Sequence, residues 1–297
     1  MSNDGNTIAA GQPAVGNTVF VYRRANVDAN YVHEASLTAP EWTSTHGTQG
    51  LCFACSLNGD GTLLVASILD DEGTTWGSVR TWTYSGGSWT QDGSKLRRSS
   101  TSTVDQFGRC TSLSADGKWL MAGAPSYNGA GAGGAIRFYS RASGSWTLFY
   151  EGFGLDLSVP GSFGIACSMN PEGDRAVVGS NGYSSSRGAI SIFERTGTLW
   201  SRTDIMPNSG GDANEFFGSS VVINYQFVAG GAHGWDGSGT DRGRVAVYRH
   251  NGASYEYIQD FTGTADSDQM GFYMRMCNGT IIAGGGAGSF KTWVYTL

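Results

Sequence analysis

Proline, charge and histidine are scarce in this chain, and long apolar runs are missing. Its 297 residues hold 6 prolines and 4 histidines, and only 15% are charged. No apolar run reaches the roughly 20 residues of a membrane span, so none is expected. The opening Met1-Ser2-Asn3-Asp4-Gly5 lacks the pattern of a secretory signal. His33, His46, His233 and His250 stand in no Gly-x-Ser-x-Gly or His-Glu-x-x-His setting, which removes the local signatures of hydrolytic and zinc catalysis. The formal charge is −6, and nucleic acid is not an expected partner because phosphate binding needs clustered Lys and Arg. The densest basic run, Lys95-Leu96-Arg97-Arg98, reads as a solvated face.

Cysteine is present in an odd number, which excludes a complete disulfide framework. Cys52, Cys55, Cys110, Cys167 and Cys277 read as reduced, small core residues in or beside first strands. Cys52-x-x-Cys55 has the spacing of a redox or zinc pair, but no second pair or histidine cluster completes the four ligands of structural zinc. No metal or cofactor is expected.

Glycine is plentiful, at 46 residues, beside 12% aromatic and 39% hydrophobic residues. That mixture suits tight turns around a real core rather than disorder. Its arrangement is periodic. Phe107-Gly108 opens a stretch whose counterparts begin at Leu51, Phe163, Phe217 and Met270, giving spacings of 56, 56, 54 and 53 residues. Periods of this order mark solenoids, propellers or arrays. Within each copy, apolar residues alternate over short runs bounded by Gly, Asn, Asp and Ser, the period-2 signature of strands. No segment reads as a helix.

Each copy spells four strands. Strands one and two are expected to meet in a tight two-residue hairpin at Asn58-Gly59-Asp60-Gly61, Asp116-Gly117, Glu172-Gly173 or Asn278-Gly279, since these residues tolerate positive φ. The second strand ends in small residues such as Gly123-Ala124-Pro125 and Gly230-Gly231-Ala232, which let neighbouring backbones approach. The third follows a glycine by five residues to an aromatic: Gly77 to Trp82, Gly134 to Tyr139, Gly188 to Phe193, Gly243 to Tyr248 and Gly288 to Trp293. The fourth begins at Trp89, Trp146, Trp200 or Tyr255, whose repeated phase predicts packing between sheets.

Radial repetition protects sheet edges, so the reading is an all-β, six-bladed β-propeller of four-stranded antiparallel blades. Residues 1–297 are expected to form one propeller domain, with repeats at about 1–50, 51–106, 107–162, 163–216, 217–269 and 270–297. The first copy lacks strand one and the last lacks strand four, which leaves 22 strands and one irregular blade at the chain ends.

The stretch Phe107-Gly108 through Gly123-Ala124-Pro125 to Gly144-Ser145-Trp146 resembles the FG-GAP-like repeats of many algal, protist and bacterial proteins. The resemblance covers nearly the whole chain and is strongest over 51–200. It implies propeller blades with the Phe-Gly and Gly-Ala-Pro segments near the loops of one face, and it implies little about activity. Integrin-like members carry calcium between strands one and two. Here that turn shrinks to Ala115-Asp116-Gly117, too few oxygens for the ion, so no calcium is carried over.

Asp105-Gln106-Phe107-Gly108 recurs as Asp268-Gln269-Met270-Gly271, and its polar side chains are expected to cap the loop before strand one. The binding signal lies in the loops between strands two and three, which hold Trp76 beside Asp70-Asp71-Glu72-Gly73, Tyr127, Tyr183, and Trp235 with Asp236 and Asp241. Aromatics flanked by Asp suit sugar rings, while the same residues equally serve as covers of the blade tops. Two functions follow. The first is a non-enzymatic module binding a protein or glycan partner through these loops, assembled into a larger particle such as a virion or phage surface. The second is a hydrolase or lyase acting on polysaccharide, with paired carboxylates at the propeller channel.

Overall fold

The computed structural model describes residues 1–11, 18–39, 51–69, 76–97, 105–131, 133–154, 161–208, 210–277, 279–286 and 291–297. His46, Asp70-Asp71-Glu72-Gly73, Arg98, Asn278 and Gly288, on which sequence readings fall, lie outside them. Six antiparallel sheets follow one another along the chain. The first holds β1 (Thr7–Gly11), β2 (Thr18–Arg23) and β3 (Val32–Thr38); the second β4 (Cys55–Leu57), β5 (Leu63–Ile68), β6 (Ser78–Ser85) and β7 (Ser88–Gln91). The third holds β8 (Thr111–Leu113), β9 (Trp119–Ala124), β10 (Ala135–Ala142) and β11 (Ser145–Phe153). The fourth holds β12 (Phe163–Met169), β13 (Arg175–Ser180), β14 (Ala189–Thr196) and β15 (Leu199–Pro207). The fifth holds β16 (Ser220–Ile223), β17 (Phe227–Ala232), β18 (Arg244–His250) and β19 (Tyr255–Thr262); the sixth β20 (Tyr273–Cys277), β21 (Thr280–Gly284) and β22 (Thr292–Thr296). This is the six-bladed propeller, with the irregularity shared by a three-stranded first and a three-stranded last sheet. Among the described residues, helix is confined to single turns at Gly129–Gly131 and Tyr183–Ser186.

The repeated glycines explain how the blades touch. Gly134, Gly188 and Gly243 form parallel bridges to Phe163, Phe217 and Met270, the residues that open the next copy. Their φ values of +106°, +89° and +77° place them in a region that disfavours a Cβ. Gly123, Gly179 and Gly231 likewise face the backbones of Gly164, Gly218 and Gly271 in the following blade. Phe-Gly and Gly-Ala-Pro are therefore the two halves of one contact between blades.

Side chains fill the space behind those contacts. Phe107, Phe163 and Met270 are fully buried, and Phe217 is 1% exposed. The second strands β5 and β9 are buried along their whole length, as expected of strands covered on both faces. The fourth-strand aromatics reach back to the preceding blade. Trp89 Nε1 donates to Glu34 Oε2 at 2.8 Å, Trp146 Nε1 donates to Thr81 Oγ1 at 3.0 Å, and Trp200 stacks on Phe138 at 4.4 Å. In four blades the pairing of the last two strands shifts register just before Tyr22, Tyr139, Phe193 or Tyr248, a bulge that increases local twist.

The hairpins differ from expectation. Between strands one and two, three copies use five residues, 58–62, 114–118 and 170–174, rather than two. Asn58 Oδ1 accepts from Leu63 N at 2.8 Å, Ser114 Oγ from Trp119 N at 3.0 Å and Asn170 Oδ1 from Arg175 N at 2.9 Å. The side chain closes the loop around a backbone turn in which Gly61 N, Gly117 N and Gly173 N donate to the carbonyls of Asn58, Ser114 and Asn170. Asp60 and Asp116 spend an oxygen on Thr62 N and Lys118 N inside the same loops.

Successive first strands β4, β8, β12, β16 and β20 pack side by side around the axis, with β1 beside β4. All five cysteines are free thiols; Cys52 and Cys110 are buried and Cys55 and Cys167 half-buried, but Cys277 is exposed at the end of β20 rather than in the core. No helix of the described residues is long and apolar enough to cross a membrane.

Candidate functional site

The first strands that line the axis, β4, β8, β12, β16 and β20, together with β1, contain no Asp or Glu. Paired carboxylates at the channel are thus absent from the described first strands. Acidic side chains gather instead on the rim, where the loop from β15 to β16 meets the loop from β17 to β18. Asp212, Ala213, Glu215, Gly234, Trp235, Asp236 and Gly237 there enclose a cavity of about 280 Å³.

Glu215 stands two residues before Phe217, as Asp105 stands before Phe107 and Asp268 before Met270. The slot explains its burial. Asp105 Oδ1 accepts from Phe107 N at 3.2 Å, and Asp268 Oδ2 accepts from Thr264 N and Ala265 N at 2.9 Å each, the loop capping expected of this motif. Glu215, only 5% exposed, does the same in its own loop. Its Oε1 accepts from Asp212 N at 2.7 Å, its Oε2 accepts from Asn208 Nδ2 at 2.5 Å, and Arg244 lies 3.5 Å away. Both oxygens are committed, so Glu215 fixes the loop that carries the exposed Asp212.

Trp235 forms the opposite wall. Its carbonyl accepts from Gly243 N at 2.8 Å, which closes the loop onto β18, and the Arg244 guanidinium stands 5.8 Å from its ring centre. Asp236 is exposed, and its Oδ1 accepts from Asp241 N at 2.8 Å. Asp241 adopts φ +48°, which the loop needs to turn back. Beside the cavity, His233 stacks on Phe216 with ring centres 5.1 Å apart. Burial lowers its pKa, with Asp241 opposing weakly, so the imidazole favours the neutral form.

Of the residues singled out in the sequence, Trp235 and Asp236 line this cavity and Asp241 braces Asp236. Trp76, Tyr127 and Tyr183 stand in their own blades. Trp76 is half-buried and its carbonyl accepts from Phe107 N at 2.9 Å. Tyr127 packs on Phe153 at 5.4 Å, and Tyr183 packs against the core between the third and fourth blades. The carbonyls of Tyr127 and Tyr183 accept from Gly134 N and Gly188 N, the slot that Trp235 fills in the fifth blade. Sequence reasoning missed Asp212 and Glu215, which lie between blades rather than in a loop between strands two and three. The signal available for Glu215 was the Phe217-minus-two position shared with Asp105 and Asp268; Asp212 carried none.

No protein-family model and no curated protein matches the sequence. Solved structures do. A "putative 6-phosphogluconolactonase" of Bacteroides uniformis is similar with a TM-score of 0.65 and 11% identity, over 99% of this chain and 79% of that one. One of the same description from Bacteroides fragilis gives a TM-score of 0.64 at 11% identity, over 99% and 78% of the two chains. A protein from Lactobacillus plantarum gives 0.57 at 14% identity, over 88% and 69%. At these identities the likeness is one of fold, and the FG-GAP resemblance rests on its quoted residues. The neighbours still overturn the expectation of a non-enzymatic binding module. Propellers of this architecture carry an enzyme's description, and a propeller gathers its reacting groups from separate loops, so a missing local motif was no ground for excluding catalysis.

Proposed function

We propose that residues 1–297 form one propeller domain that hydrolyses a carbohydrate substrate, with the reaction in the acidic cavity between the fourth and fifth blades. One observation carries the reading: exposed Asp212 and Asp236 border the same cavity as the half-buried ring of Trp235. A volume of about 280 Å³ is near the lower bound of small-molecule sites and admits about one sugar ring. The indole offers a flat apolar face for the sugar's C–H groups, and the carboxylates supply proton transfer at its edge.

In glycoside hydrolysis one carboxylate activates water while the other protonates the leaving oxygen. Asp212 and Asp236 take these roles, Glu215 anchors the first through its backbone N–H, and Asp241 orients the second. A lactone needs only one carboxylate, which takes the proton of the attacking water and returns it to the ring oxygen as the C–O bond breaks. The description borne by two similar propellers favours that second reading, a sugar-acid ester as substrate. Phe107-Gly108 and Gly123-Ala124-Pro125 support grouping the chain with FG-GAP-like repeats.

The test is turnover by the purified chain in two arms: a panel of soluble polysaccharides read by new reducing ends, and sugar lactones, 6-phosphogluconolactone included, read by acid release. Hydrolysis in one arm should fall by about 10²-fold or more in Asp236→Asn or Asp212→Asn, the usual contribution of a positioned acid or base. No turnover in either arm, or full turnover in both variants, would remove the reading.

A further inference from the structure

Cys52 occupies a position that other copies give to glycine. The residue after the buried opening side chain is Gly108, Gly164, Gly218 or Gly271, with φ of +95°, +87°, +88° and +87°; Cys52 makes the same left-handed turn at +73°. A Cβ there is strained, and such strain concentrates where a side chain has a task. The chain accommodates it by placing Gly11 opposite, where any side chain would collide with Cys52.

Cys55 follows three residues later, at the start of β4 beside the axis. Both side chains pack into one core cluster between the first and second blades, close enough for each to shift the other's proton affinity, and neither is in a disulfide. Cys55 Sγ donates to the carbonyl oxygen of Ala9 at 3.8 Å, on the three-stranded first sheet. Positive charge reaches Cys55 from the Met1 amine and from Arg275 on β20. The hydrogen bond from Cys52, together with these charges, brings Cys55 down to about 7 against the opposing effect of burial, while the same hydrogen bond and burial push Cys52 up. Cys55 is therefore the more acidic sulfur of the pair, and Cys52 the one that keeps its proton. The second thiol pair behaves differently. Cys110 and Cys167 also meet, from adjacent blades, but burial and the Cys110 contact push Cys167 far up.

We propose that Cys52 and Cys55 form a redox-active dithiol that a hydroperoxide converts to an intramolecular disulfide. The Cys55 thiolate attacks the peroxide's terminal oxygen; the O–O bond breaks, its electron pair leaves with the departing oxygen, and that oxygen takes a proton to become water or an alcohol. Cys55 is then a sulfenic acid. The Cys52 sulfur displaces its hydroxyl, the S–S bond forms as the S–O bond breaks, and the Cys52 proton leaves in the resulting water. Two thiols are oxidised for each peroxide reduced. A dithiol reductant reverses the step. The activity is independent of sugar hydrolysis, and a failure of one leaves the other standing.

The experiment uses the full chain carrying Cys277→Ser, which removes the exposed thiol. The folded protein is treated with hydrogen peroxide, then unfolded, alkylated, weighed intact and mapped by peptide. The expected result is two protected thiols, joined within the peptide that contains Cys52 and Cys55 and freed by dithiothreitol. Cys52→Ser should halt the reaction at a sulfenic acid on Cys55, trapped by dimedone. Four alkylated thiols after peroxide, a bond joining Cys110 to Cys167, or a sulfenic acid on Cys52 would each overturn the proposal. Mapping of the Cys277→Ser protein decides the matter even where a further variant fails to fold.

Discussion

Replacing Gly188 by alanine tests the contact that sets the spacing between blades. Gly188 has φ +89°, and an added Cβ would stand 2.5 Å from Phe217 N and 2.7 Å from its carbonyl carbon, closer still to the oxygen. Ordinary non-bonded carbon contacts begin near 3.5 Å, so the fourth and fifth blades would have to part locally by about 1 Å. The left-handed conformation costs a Cβ-bearing residue about 1–2 kcal/mol. Overpacking adds about 1–3 kcal/mol. Together these give about 2–5 kcal/mol, and at roughly 2–4 °C per kcal/mol for a chain of this size the midpoint should fall by about 4–20 °C. Gly197→Ala is the matched control. Gly197 lies in the same blade at φ +61°, but nothing stands within 4 Å of its missing Cβ. Only the conformational part remains, about 1–2 kcal/mol. Thermal melting followed by near-ultraviolet dichroism, with urea unfolding as a check, measures both. Equal losses in the two variants would refute backbone contact between Gly188 and Phe217 as the determinant of blade spacing.

Further outcomes follow from the same packing. Phe163→Ala should cost about 3–5 kcal/mol in equilibrium unfolding, since the ring is fully buried. Phe163→Leu should cost much less, because Leu51 fills the equivalent slot, also fully buried. Glu34 links the first and second blades; burial pushes its carboxyl up, but hydrogen bonds from Arg23 at 2.6 Å and Trp89 at 2.8 Å outweigh this and hold it below the ordinary value. A carboxylate lowered on folding contributes stability that is present above the unfolded pKa and is lost as pH falls through the folded one. Glu34→Gln should therefore melt lower than the parent at neutral pH, and the gap should close as pH falls below the free-glutamate value of about 4.3 and on through the lower folded one. A gap that stays constant across pH would assign the effect to packing.

The blade plan was legible in the sequence because its demands are local and recur. A strand buried on one face alternates, a left-handed turn asks for Gly, and a gap between sheets asks for a large aromatic; each is written at one position and repeated in every copy. Gly134, Phe163 and Trp200 could be placed in their slots before any contact was known. The five-residue hairpins were not, because Asn58 and Ser114 close them with side-chain oxygens, which composition does not distinguish from ordinary turn formers.

The sites depended on what the ring brings together. Asp212 and Asp236 belong to different loops, and the capping of Glu215 and the path of two chain segments bring them to one cavity. Arg275 lies more than two hundred residues from Cys55 in sequence, yet its charge reaches that thiol across the channel. Local conformational preferences determined the repeating unit, since they act through neighbouring residues. Only the closed arrangement of blades decided which loops and which charges meet, since those distances are set by packing between units and not by any property of one unit alone.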